Sequence, residues 1–99
     1  MTPIQNISLC IPRVKINNFK TIKGIFEKLN FGKIKRIDIV ENKPIKSTDA
    51  LAGTWRVFIH YCHWYENDQT LKVQYRLNND FPVAVVYNAP WYWRIKIAR

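Results

Sequence analysis

Arg56, Phe58 and His60 stand two residues apart in the run Thr54-Trp55-Arg56-Val57-Phe58-Ile59-His60-Tyr61. Period-two alternation of this kind puts one set on one face of a β-strand and Trp55, Val57, Ile59 and Tyr61 on the other. The first set, with Thr54, is expected to face water, and the second to be dry. A guanidinium, a phenyl ring and an imidazole on one open sheet surface can stack bases and hold phosphates of a single-stranded nucleic acid. A second set of the same character closes the chain. There Trp93, Ile95 and Ile97 alternate with Tyr92, Arg94 and Lys96, and the latter three are expected to point outward. Lys43 and Lys46 precede the first set in a polar stretch and are placed to clamp a bound strand.

Other reactive residue types give weaker patterns. His60-Tyr61-Cys62-His63 contains metal-ligating types, but a structural zinc site needs four ligands, usually as two spaced pairs. Only Cys10 is available to add to the cluster, and alternation aims His63 away from His60 and Cys62. Ordinary strand-end residues are the expected reading, with no metal and no cofactor. There are no paired carboxylates, no nucleophile elbow and no Gly-rich phosphate loop, and the chain has only 3 glycines, so catalysis is not expected. A nuclease would have to use His60 or His63 as acid or base near Tyr61. Among the tryptophans, parity assigns Trp55 and Trp93 to the core, while Trp64 and Trp91 fall at element ends.

The elements that position these residues follow from periodicity. Ile7, Leu9 and Ile11 alternate with Ser8 and Cys10, predicting a strand that ends near Pro12. Asn17 or Asn18 then caps a helix carrying Ile22, Ile25, Phe26 and Leu29 on one side, with Gly32 as its expected stop. A second strand sets Ile37 and Ile39 inward and Arg36 and Asp38 outward. Glu41 to Gly53 reads as a loop, and the mid-chain strand follows, ending near Tyr61. The stretch from Asn67 to Asn79 carries both periods. Leu71, Val73, Tyr75 and Leu77 alternate as in a strand. Thr70, Val73, Gln74 and Leu77 make a helical stripe, with Asn67 or Asp68 as cap. We read it as helix. Two apolar runs, Val83 to Tyr87 and Trp91 to Ala98, split by Asn88-Ala89-Pro90, predict a hairpin. The resulting order is a split βαβ arrangement. It is an α+β, ferredoxin-like fold with a four-stranded antiparallel sheet, two helices on one face and a C-terminal hairpin. The other face then lacks a helix, and ligand binding is the usual reason for such exposure.

Bulk properties agree with that class. A chain of 99 residues is one domain. Sixteen Lys and Arg against seven Asp and Glu leave a net charge of +9, which favours single-stranded RNA or another polyanion as partner. The two cysteines suggest no disulfide scaffold. Residues 1–6 lack a charged opening and an apolar run, so no secretory leader is expected, and no stretch is apolar enough to span a bilayer. The expected address is intracellular and not secreted, with no membrane partner.

On Leu9-Cys10-Ile11-Pro12-Arg13-Val14 and on Thr54 to Tyr61, the chain resembles the RNA-recognition-motif (RRM) family over nearly its full length. Phe58-Ile59-His60-Tyr61 is similar to the closing half of that family's aromatic octamer. Arg56 and Cys10 stand where the family has stacking rings, and Trp55 where it has Gly, so Phe58 alone keeps its ring of three stacking positions. The ending Pro90-Trp91-Tyr92-Trp93 resembles an RRM-like group in large DNA viruses of algae and protists, which implies host cytoplasm, host nucleus or virion as location. The resemblance implies a non-catalytic single-stranded RNA-binding module using the open sheet face. RRM-like folds also bind proteins, so a protein–protein adaptor, self-association included, is the other implied role.

Overall fold

Side-chain parity and helix caps set the element order. The computed structural model describes residues 6–15, 18–43 and 53–98. The elements are β1 (Leu9–Val14), α1 (Phe19–Leu29), β2 (Gly32–Glu41), β3 (Trp55–Trp64), α2 (Asp68–Asn78), β4 (Val83–Asn88) and β5 (Trp91–Ile97). They form an α+β fold with a five-stranded antiparallel sheet in the order β2-β3-β1-β5-β4. This corrects the expected four strands. The terminal hairpin belongs to the sheet: β5 pairs with β1, and β4 takes the outer edge. A hairpin whose inner strand carries buried Trp93 and Ile95 cannot stand apart from the core without exposing them.

One core holds the two helices against one sheet face. Leu9, Ile11, Ile37, Val57, Ile59, Tyr61, Val83, Val85, Trp93 and Ile95 meet Ile22 and Phe26 of α1 and Leu77 of α2. The Phe26 and Trp93 rings lie parallel, 6.4 Å apart. No helix among the described residues is long and apolar enough to cross a membrane.

The helix ends follow short-range chemistry. Asn18 accepts the Thr21 N–H at 3.2 Å and starts α1. Asn30 ends it in the left-handed region (φ 57°, ψ 42°), its N–H donating to the Glu27 carbonyl. Gly32 is therefore not the stop. It opens β2, where an added Cβ would collide with the His63 carbonyl. In α2 the capping box is complete: Asn67 Oδ1 accepts from Thr70 N at 2.9 Å, and Asn67 N donates to Thr70 Oγ1 at 3.2 Å. Thr70 and Gln74 are buried beside Leu77, so the helical stripe prevails over the strand alternation.

Two strands run past their expected ends. β1 continues through Pro12, and its register shifts between Ile11 and Val14, the irregularity a residue without an N–H imposes. The Pro12 carbonyl accepts from Asn42 Nδ2 at 3.0 Å, and the same amide donates to Thr54 Oγ1 at 3.0 Å. Thr54 is thus buried and not on the wet face, while Trp55 is only half-buried. β3 continues to Trp64 because the β2–β3 ladder shifts twice, between Lys33 and Ile34 and between Ile34 and Arg36. The first shift leaves Cys62 as an extra residue on β3, so parity flips. Cys62 and His63 both point to solvent, and Trp64 returns to the core, stacked on Phe31 at 5.4 Å. Its indole N–H donates to the Ile7 carbonyl at 2.9 Å.

Candidate nucleic-acid interface

Because side chains alternate, burying Val57 and Ile59 under the helices turns Arg56, Phe58 and His60 to the opposite face. The ladders add neighbours. Asp38 of β2 stands opposite Phe58, and Arg36 opposite His60. On the other side Cys10 of β1 pairs with Phe58, and Lys96 of β5 pairs with Cys10. One row therefore reads Asp38, Phe58, Cys10, Lys96 across four strands. Arg56 and Arg94 are exposed on the same face one row away, and Lys96 is exposed as well.

Cys10, Arg56, Phe58, Lys96 and Asp80 are among the residues lining an open depression of about 450 Å³. β1 and β5 pair at Leu9–Ile97 and Cys10–Lys96, with the Ala98 N–H donating to the Ser8 carbonyl at 2.8 Å, and no pairing between them continues past Cys10 toward Pro12. An adjoining cleft of about 270 Å³, lined in part by Pro12, Phe81 and Arg94, lies where that pairing ends. The turn at its rim is fixed by Arg76, whose Nε and Nη2 donate to the Pro82 carbonyl at 3.3 and 3.0 Å. The Cys10 thiol is buried in the floor, and that burial pushes its pKa up, against the smaller opposite pull of Lys96 and Arg56. It stays a neutral thiol and adds no negative charge to the depression.

Of the residues expected from sequence, Arg56, Phe58 and Lys96 come together around this depression, with Arg94 beside it. Phe58 is half-buried, its ring 6.5 Å from the His60 ring and within 17° of parallel. Tyr92 faces out but lies toward the hairpin, opposite Val86, at 51% exposure. Lys43 is exposed just beyond β2, away from the depression's lining, and Lys46 lies outside the described residues.

A polar network escaped the sequence reading. His60 Nδ1 lies 2.9 Å from Ser8 Oγ, and Nε2 lies 3.1 Å from Asp38 Oδ2. Arg36 Nε is 3.2 Å from Asp38 Oδ1. A neutral ring satisfies both contacts, with Nε2–H donating to the carboxylate and Nδ1 accepting from the hydroxyl. The outward parity of Arg36, Asp38 and Ser8 was readable; the register that joins them was not. Ser8, His60 and Asp38 have the connectivity of a nucleophile, a base and an orienting acid. Among the described residues no group of three or more His, Cys, Asp or Glu is arranged to hold a metal ion.

Compared with known protein families, with curated proteins and with solved structures, the chain has no match.

Proposed function

We propose that this protein is a non-catalytic module that binds single-stranded RNA on the open face of its sheet. Phe58 stacks one base, and Arg56, Lys96 and Arg94 hold the adjoining phosphates. The observation that carries this reading is the placement of Phe58 between Arg56 and Lys96 at an open depression in a chain of net charge +9. In this reading the fold is a ferredoxin-like, RRM-type sheet in which β5 fills the fourth-strand position beside β1, and β4 is an added edge. From Pro90-Trp91-Tyr92-Trp93 we infer a likeness to the RRM-like proteins of large DNA viruses.

Fluorescence anisotropy with a labelled octanucleotide tests the proposal. One stacked base contributes about 1–3 kcal/mol, so Phe58→Ala is expected to weaken binding about tenfold. Arg56→Ala is expected to weaken it further in the double variant. A double variant that binds as tightly as the parent would defeat the reading.

A protein-binding adaptor is the second reading. It is favoured by the apolar side chains left on the same face, Val40, Val86 and Tyr92, at 52%, 61% and 51% exposure. In that case the cations would meet an acidic protein surface.

A further inference from the structure

Asp38 is the single carboxylate among the described strand residues of the open face, and it stands directly opposite the stacking ring. On a surface for a polyanion a carboxylate costs affinity. This one is also held from two sides, Oδ1 by Arg36 at 3.2 Å and Oδ2 by His60 at 3.1 Å, with Ser8 fixing the far side of the imidazole at 2.9 Å. Facing Cβ atoms of an antiparallel pair lie about 4.5–5.5 Å apart, so a base stacked on Phe58 presents its edge within reach of this carboxylate.

We infer that Asp38 reads the edge of the base on Phe58 and selects guanine. A carboxylate offers only acceptors. The Watson–Crick edge of guanine sets N1–H beside the N2 amino group, two adjacent donors for two oxygens. Adenine and cytosine each set their amino group beside a ring-nitrogen acceptor. Uracil's N3–H lies between two carbonyl oxygens. Each of these three turns at least one acceptor toward the carboxylate. Arg36 and His60 take one lone pair from each oxygen and leave others for the base. Their donated hydrogens also offset the charge that would repel a neighbouring phosphate.

This inference rests on the sheet-face reading, and the experiment separates the two. Anisotropy is measured for uridine octanucleotides carrying one central guanine, inosine, adenine or cytosine, and for the all-uridine strand. The guanine strand is expected to bind about tenfold tighter than the others, the order of discrimination of one bidentate pair. Inosine, which lacks the N2 amino group, is expected to lose most of that gain. Asp38→Asn, which presents a donor beside an acceptor, is expected to erase the preference, while the all-uridine strand binds it at least as tightly as it binds the parent, because a carboxylate is lost and the ring and the cations stay in place. Equal binding of all five strands overturns the guanine assignment and leaves the platform standing. So does a guanine preference that survives in Asp38→Asn. Absence of binding to every strand overturns platform and assignment together. The base series on the parent protein needs no variant, so misfolding of Asp38→Asn cannot rescue the idea.

Discussion

Tyr61 shows what a single buried atom costs. Its side chain belongs to the core at 7% exposure, its ring lies 4.8 Å from that of Trp64, and among the described residues its hydroxyl has no hydrogen-bond partner. Burial pushes the phenol pKa up, since nothing there solvates the phenolate. An unpaired buried hydroxyl costs about 1–3 kcal/mol of desolvation. Tyr61→Phe keeps the ring and discards the atom, so it is expected to stabilise the fold by about 1 kcal/mol. Urea unfolding should show a raised midpoint with an unchanged slope. A lowered midpoint would mean that the hydroxyl has a partner after all. At this scale the sequence was informative about direction and silent about neighbours. Alternation alone turned Arg56, Phe58, Tyr92, Arg94 and Lys96 outward and Tyr61 inward. It could not join Ser8 to His60 and Asp38, because the register between strands that far apart in sequence is set by packing.

Local chemistry also decides the elements, and the strongest case is the start of α2. Thr70 is fully buried, and its hydroxyl donates to the Tyr65 carbonyl at 2.6 Å while receiving the Asn67 N–H. It ties the end of β3 to the first turn of the helix. Asn67→Ala removes one side of the capping box and is expected to cost about 1 kcal/mol. Thr70→Val, nearly equal in volume, leaves a backbone donor and a backbone acceptor unmatched, and is expected to cost about 2 kcal/mol. Chemical denaturation followed by circular dichroism ranks the two, and a Thr70→Val protein no less stable than Asn67→Ala would contradict this account. The same stretch explains how much of the fold could be read beforehand. Thr70, Val73, Gln74 and Leu77 shared a helical face, and Asn67 was a cap by type, so α2 was legible despite its competing alternation. The extension of β3 was not. Alternation breaks at Tyr61, and only the extra residue at Cys62 shows why Trp64 resumes the inward face. Gly32 misled for a related reason: its lack of a side chain answers the approach of the His63 backbone, a contact between segments, and Asn30 did the capping.

At the scale of the molecule, charge separates the two readings of the open face. A polyanion held by Arg56, Arg94 and Lys96 displaces counterions from its phosphates, and single strands show a log–log salt slope of about −0.7 per phosphate neutralised. Three such contacts predict a slope of about −2 for a short RNA. Arg94→Ala with Lys96→Ala is expected to bring it to about −0.7 while leaving the contribution of Phe58 intact. Titration of an octanucleotide between low and moderate salt, for the parent and this double variant, gives both slopes directly. A protein partner seated on Val40, Val86 and Tyr92 would respond differently, because apolar burial is strengthened or little changed by added salt, and the rim cations would alter mainly the association rate. A parent slope near zero would therefore transfer the +9 charge from an RNA-binding role to solubility, and the face from a nucleic-acid platform to a protein contact. A slope near −2 that survives loss of Arg94 and Lys96 would instead move the phosphates to other cations, and would separate the stacking at Phe58 from the path of the strand.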